Sequence, residues 1–226
     1  MITSPSNPKL KLVRKLASHR QREKLGLFVA EGEDLVDAAL AAGLEPVELL
    51  VAGETVEAEL LASVSTLPHP ARVIGVFRRE DLRGSERRQA TLALWRLADP
   101  GNVGALIRTA DAFGAAVVLS PGSADPTGPK ALRASAGSLF RVPVGSFDEV
   151  DGRRIALVAH GGASLRSVDL TEPVVFVLGS EREGLPDDVL AGCEEVATIP
   201  TAAGVESLNV AAAGAIALYE WSRRDG

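Results

Sequence analysis

Among its 226 residues the chain has a single cysteine, Cys193, and three histidines, His19, His69 and His160. One cysteine excludes an intramolecular disulfide, and with histidines so widely spaced it excludes a cysteine-rich zinc site. No metal is therefore expected, and a reducing cytoplasm is the compartment that fits. The N-terminus is polar and basic and has no hydrophobic signal core. The alanine-rich run Val210 to Tyr219 falls short of the roughly 20 apolar residues that a bilayer helix needs, so no membrane partner is expected. Aromatic residues are scarce at 4%, yet 46% apolar and 24% charged residues describe an ordinary globular chain and exclude disorder. Several nucleotide and hydrolase signatures are also missing. Gly122 to Gly128 encloses five residues and runs on as Pro129, Lys130, Ala131, which is not a phosphate-binding P-loop. The turn GNVGALIR is not a dinucleotide fingerprint, and His160-Gly161-Gly162 has no GxSxG elbow to serve. ATP hydrolysis, hydride transfer and serine hydrolysis are left without support.

The net charge of −6 argues against a surface that binds polyanions everywhere, but its distribution is uneven. Lys9, Lys11, Arg14, Lys15, Arg20, Arg22 and Lys24 face the single acid Glu23 in the first 24 residues, and an acidic stretch containing Glu31, Glu33, Asp34, Asp37, Glu45 and Glu48 follows. A basic face on an acidic protein suits phosphate contact at one place, although a solvated helix face has the same composition.

The segment from Ser6 reads as a helix, with Ser6 or Asn7 as N-cap, Pro8 in the first turn, and Leu10, Val13 and Leu16 at helical spacing. LFVAEG, PVELLVAG and ARVIGVFR read as strands, and EDLVDAALAAG and ETVEAELLASV as helices. This alternation predicts a small α/β domain over residues 1–84, ending in the charged stretch Arg78 to Gln89. Residues 85–226 form a second α/β domain. Its runs ATLALWRL, AAVVLS, RIALVAH and VVFVLGS have the aliphatic content of buried parallel strands, with helices packed on the sheet faces between them. NVGALIRTADAFG places Val103, Leu106, Ile107 and Ala110 on one helical face, and GPKALRASAGSLF is long enough for a shorter helix.

Three turns look built to meet at strand ends: Leu97 to Leu119, Val174 to Leu190, and Ile199 to Trp221. The first carries Asn102, Gly104, Arg108 and Ala110 in the pattern N-x-G-x-x-x-R-x-A. The second carries Leu178, Gly179, Glu181 and Gly184 as L-G-x-E-x-x-G, and the third carries Ile199 and Pro200 followed by Ser207, Leu208 and Asn209. In this order and spacing the three resemble the SpoU (TrmH-like) family of the knotted, or SPOUT, RNA methyltransferases, over roughly Thr91 to Arg223. SNPKLKLVRKL followed by FVAEGEDLV is similar to the substrate-binding domain attached to many members, which itself resembles an RNA-binding ribosomal protein.

The resemblance implies a deep trefoil knot, S-adenosylmethionine as cofactor, and methyl transfer to a ribose 2′-hydroxyl of RNA. Ribosomal RNA is the expected substrate, with tRNA, or a non-catalytic RNA-binding role, as the alternatives. It also implies a homodimer packed through the knotted domain. Leu178, Gly179, Ile199 and Leu208 are the implied cofactor-binding residues. Arg108 is the implied catalytic residue, and its pKa above about 12 favours phosphate binding and oxyanion stabilisation over action as a base. Asn102 would orient the arginine or the ribose, Glu181 would fix Arg108 or its loop, Ser207 would lie near the hydroxyl or cofactor, and Asn209 would organise the loop. For Asn102, Ser207 and Asn209 taken singly, helix capping is the plainer reading. The substrate-domain match turns Lys9, Lys11, Arg14, Lys15 and Arg22 into expected RNA contacts. Thr201, Ala202 and Ala203 depart from the pattern, being smaller than the residues that usually follow I-P.

Overall fold

The computed structural model describes residues 1–84, 86–171 and 173–223; Ser85, within the expected boundary stretch, lies outside the described residues. Asn7 caps α1 (Pro8–Leu16), its side chain accepting from the Lys9 N–H at 2.9 Å. The basic segment is two helices and not one. Ser18 is extended (φ −84°, ψ 130°), and α2 (His19–Leu25) starts after it and stops at Gly26, whose φ of 63° suits a residue without Cβ. There follow β1 (Leu27–Glu31), α3 (Glu33–Ala41), β2 (Glu48–Val51), α4 (Ala58–Ala62) and β3 (Val73–Arg78). Helix α4 is shorter than its sequence pattern because Thr55 is bonded to the Val51 N–H at 2.7 Å and Val56 bridges Ile2 and Ala52.

Strand β3 lies between β1 and β2 and is antiparallel to both. Alternation along the strands sends Val29, Ile74 and Val76 to a face covered by Leu10, Val13, Leu16 and Leu61. Phe28, Ala30 and Phe77 point the other way, with Leu35, Val36 and Ala39 of α3, into the core of the rest of the chain.

That remainder comprises β4 (Ala90–Leu94), α5 (Pro100–Ala112), β5 (Ala116–Leu119), α6 (Pro129–Ser135), β6 (Val144–Ser146), β7 (Arg153–Val158), β8 (Ala163–Ser164), β9 (Val174–Leu178), α7 (Asp187–Ala191), β10 (Glu195–Thr198) and α8 (Val210–Ser222). Its seven strands form one sheet in the order β6-β5-β4-β9-β7-β10-β8, every pairing parallel. On one face Leu92, Leu94, Val117, Phe176 and Leu178 meet Leu106, Ile107, Ala217 and Leu218 of α5 and α8. On the other, Ala93, Val118, Val175 and Val177 meet Phe147, Leu185 and Val189. Helices thus cover both faces, as a parallel sheet requires.

Two glycines fix the helix packing. A Cβ on Gly104 would stand 2.3 Å from the Ala131 carbonyl oxygen, and one on Gly214 would stand 2.3 Å from a Leu106 methyl. The first sets the approach of α5 to α6 and the second that of α8 to α5.

The two sheets are joined by packing as well as by the chain. Phe28 stacks on Phe77 at 5.9 Å and on Phe140 at 6.2 Å, and all three rings are fully or almost fully buried. Burying one such ring contributes about 1.5–3 kcal/mol. Beside the rings, Asp125 accepts from Arg22 Nε at 2.8 Å and lies 3.5 Å from Arg79, while Arg22 donates to the Leu16 and Ala17 carbonyls. Burial pushes the Asp125 carboxyl up, but bonds from the Thr127 hydroxyl and N–H and from Arg22, with the charge of Arg79, hold it below the usual carboxylate range.

Candidate functional site

The site assembles at the C-terminal ends of β4, β9 and β7, where the crevice of a parallel sheet opens. Asp99 caps α5, accepting from the Gly101 and Asn102 N–H groups at 2.6 and 3.1 Å. Its carboxyl is held below the ordinary range chiefly by a hydrogen bond from Lys130 at 2.9 Å, helped by the Asn102 N–H. Because Asp99 takes the capping role, Asn102 is not the cap and its side chain is released for other partners. Its amide donates to Glu181 at 2.9 Å and its carbonyl accepts from the Asn209 amide at 3.2 Å. Asn209 does cap α8, its carbonyl oxygen taking the Ala211 and Ala212 N–H groups, so one side chain both starts the helix and joins the network. One polar residue from each of the three sequence motifs thus enters a single hydrogen-bonded chain.

This chain forms part of a wall between two clefts. The first, about 540 Å³, is lined by Leu157 to Ala159, the Leu178 to Leu185 turn, Ile199, and Glu206 to Val210. It contains all four expected cofactor residues, Leu178, Gly179, Ile199 and Leu208, together with Glu181, Ser207 and Asn209. Leu178 is buried, but Leu208 is 37% exposed, a large apolar side chain presented to the cleft. The second cleft, about 870 Å³, is lined by Arg96, Ala98 to Pro100, Asn102, Gly122, Ser180 to Glu183 and Asn209.

Gly179 is required for a reason the sequence did not reveal. A Cβ there would stand 2.3 Å from the Gly184 carbonyl carbon, because the Ser180 to Gly184 turn closes back on it through a paired bridge. The close approach comes from the chain's own backbone, and Gly184 completes the turn at φ 67°.

Arg108 is exposed on α5 and lines neither cleft. Six residues beyond Asn102 correspond to about 9 Å along the helix and about 240° around it, which places Arg108 on a different face of α5 from Asn102. The expected Glu181–Arg108 bond is absent among the described residues, since Glu181 takes the Asn102 amide instead.

The basic residues of the first two helices divide. Arg22, expected to contact RNA, is buried at 6% side-chain exposure and committed to Asp125. Lys9 is paired with Glu48 at 2.6 Å, and Arg14 donates to the Pro5 carbonyl while remaining exposed. Lys11 and Lys15 are exposed and meet no carboxylate among the described residues.

Sequence reading also missed Arg96. The run expected to continue as strand to Leu97 ends at Leu94, and Arg96 turns into the left-handed region at φ 49°. That conformation costs a residue with a Cβ roughly 1–2 kcal/mol. The only other such non-glycine among the described residues is Ala136, which ends α6 in the ordinary way of a helix C-terminus. Among the described residues no group of three His, Cys, Asp or Glu side chains is placed to hold a metal, and no helix is long and apolar enough to cross a membrane.

The sequence profile of the SpoU rRNA Methylase family matches residues 89–219, and that of the MRM3-like substrate binding domain matches residues 7–81. An uncharacterized tRNA/rRNA methyltransferase of Synechocystis is 33% identical, covering 99% of this chain and 93% of its own. The Bacillus subtilis 23S rRNA (guanosine(2553)-2′-O)-methyltransferase RlmP is 31% identical over 96% of this chain and 97% of its own. The crystal structure of an AdoMet-bound rRNA methyltransferase from Sinorhizobium meliloti superposes with a TM-score of 0.88 at 30% identity, covering 99% of this chain and 97% of that one. Matching by profile over more than half its length and by relatives along nearly all of it, the chain belongs to the SpoU family of tRNA/rRNA methyltransferases.

Proposed function

We propose that the chain methylates a ribose 2′-hydroxyl of ribosomal RNA, using S-adenosylmethionine held in the smaller cleft. The observation that carries this reading is the Asn209–Asn102–Glu181 chain standing between a cleft that contains Leu178, Ile199 and Leu208 and a more open one that contains Arg96. A cleft of about 540 Å³ lies within the size range of cofactor sites, and the exposed Leu208 would be covered by a flat ligand resting against Ile199 and Leu178. The trefoil knot is supported by the return of the Ile199 to Asn209 loop against the Leu178 to Leu185 turn, and by the docking of α8 beneath β4 and β9.

When bound, the cofactor supplies an electrophilic methyl group on a sulfonium. The protein's part is placement, since in-line transfer gains most from orientation and from electrostatic support of the attacking oxygen. Asn102 and Asn209 fix the wall against which the ribose would rest, and Glu181 anchors the turn carrying Gly179. Arg108 lies outside its own chain's clefts, which supports a homodimer in which a second copy presents this guanidinium to the phosphate beside the target ribose. RlmP, alike along nearly the whole chain, is named for 2′-O-methylation of 23S rRNA, which favours ribosomal over transfer RNA here.

The test is incubation of the purified protein with methyl-labelled cofactor and either ribosomal RNA or tRNA transcribed in vitro, followed by mapping of ribose methylation. Label confined to tRNA overturns the choice of substrate. Absence of cofactor binding by calorimetry at millimolar concentration would establish a silent RNA-binding protein instead.

A further inference from the structure

We propose that Arg96 is a positioning residue, receiving a phosphate of the RNA strand next to the target ribose; this rests on the methyltransferase reading above. Four observations converge on it. Arg96 keeps a left-handed backbone that glycine would adopt freely, and it does so between a strand and a loop, where no helix end accounts for it. The surroundings hold that backbone in place. The Arg96 N–H is bonded to Ser120 Oγ at 2.8 Å, the Leu97 N–H to Ser123 Oγ at 3.2 Å, and the Leu97 carbonyl accepts from the Ala124 N–H at 2.7 Å. The Arg96 side chain lies against Gly122, where an added Cβ would stand at ordinary contact distance, 3.5 Å from Nε.

Finally, Arg96 is exposed in the larger cleft and has no carboxylate partner among the described residues. Of the acids lining this cleft, Asp99 is engaged by Lys130 and Glu181 by Asn102, and Glu183 forms no ion pair with Arg96 among the described residues. A guanidinium held at a strand end, beside the wall that would meet a ribose and without an internal anion, is suited to an external one. A nucleic acid strand carries a phosphate next to every ribose, so Arg96 would set the register of the strand while Asn102 and Asn209 meet the sugar.

Arg96→Gly tests this without threatening the fold, because glycine takes the observed backbone without penalty. With ribosomal RNA transcribed in vitro, the variant should keep wild-type melting and cofactor affinity and raise KM for RNA about tenfold, with kcat changed far less. The salt dependence of RNA binding should become shallower by about 0.7 for one single-strand phosphate no longer neutralised, and Arg96→Lys should restore most of that slope. A glycine variant with unaltered KM and slope overturns the proposal, as does one that loses cofactor binding in parallel, which would mark Arg96 as structural. If the wild-type protein binds no RNA, the functional reading falls and this proposal with it; if wild type and Arg96→Gly bind RNA equally, only this proposal falls.

Discussion

Replacing Arg22 with alanine should damage the fold and leave the chemistry of RNA contact untouched. Arg22 and Asp125 have side-chain exposures of 6% and 5%, and their 2.8 Å bond links α2 to the loop after β5. The substitution removes that charge-assisted bond and two donors to the Leu16 and Ala17 carbonyls, and it leaves the Asp125 carboxylate with Thr127 and a more distant Arg79. Breaking a buried pair by deleting one partner costs about 3–5 kcal/mol. For a chain of this size that corresponds to a loss of roughly 6–20 °C in Tm, at about 2–4 °C per kcal/mol. Urea unfolding at pH 7 measures the cost directly. Because the folded Asp125 pKa is lowered, the unfolded chain takes up its proton first as pH falls. The stabilisation is therefore fully present above an unfolded pKa of about 3.9 and is lost as pH drops through the folded value. The wild-type minus Arg22→Ala difference should hold constant from pH 8 to 5 and shrink below about 4. A loss under 1 kcal/mol, or a variant of native stability with weakened RNA binding, would refute this reasoning and return Arg22 to the RNA-facing surface.

Gly179→Ala should destabilise by about 1–3 kcal/mol through overpacking against Gly184 and weaken S-adenosylmethionine binding at least tenfold, as read by calorimetry. Unchanged affinity would show that the turn can shift without reshaping the cleft. Arg108→Ala and Asn102→Ala should each abolish turnover, yet their mixed dimer should recover about half the wild-type rate if each site draws Arg108 from the opposite chain of a two-fold pair. An inactive heterodimer would place both residues in the same chain's site. Lys11→Ala with Lys15→Ala should lower the salt slope of RNA binding by about 0.7–0.9 for each phosphate no longer neutralised, without moving Tm. A slope equal to wild type would remove α1 from the binding face.

Most of the secondary structure was legible because period-2 and period-3.6 patterns coincide with buried faces: Val103, Leu106, Ile107 and Ala110 are all buried. Strands β6, β8 and β10 were not foreseen, being only 3, 2 and 4 residues long and without a hydrophobic run of their own. The division of the first helix at Ser18 was hidden because Ser18 makes no capping bond that sequence could advertise. In the site, the motifs named the right neighbours but not their couplings. Asn102 looked like a cap until Asp99 took that place, and nothing in the sequence marks the packing of Gly184 against Gly179. Lys9, Arg14 and Arg22 were indistinguishable as basic letters, and only burial and distance separate an internal tie from a surface charge. Nothing in ATLALWRL marks Arg96 as left-handed, since that conformation is imposed by the Ser120 and Ser123 hydroxyls from another loop.

The stack of Phe28 on Phe77 and Phe140 makes the two sheets sides of one gauge. With α1 packed on the far face of the small sheet and the proposed methyl-donor cleft at the strand ends of the large one, the ring stack sets the spacing between the two. Under the proposed function, an RNA held at Lys11 and Lys15 would bring its target ribose to the wall through its own folded shape. Selection of the modified nucleotide would then rest on RNA tertiary geometry as much as on base identity, and a change at the ring stack would retune that selection from a distance.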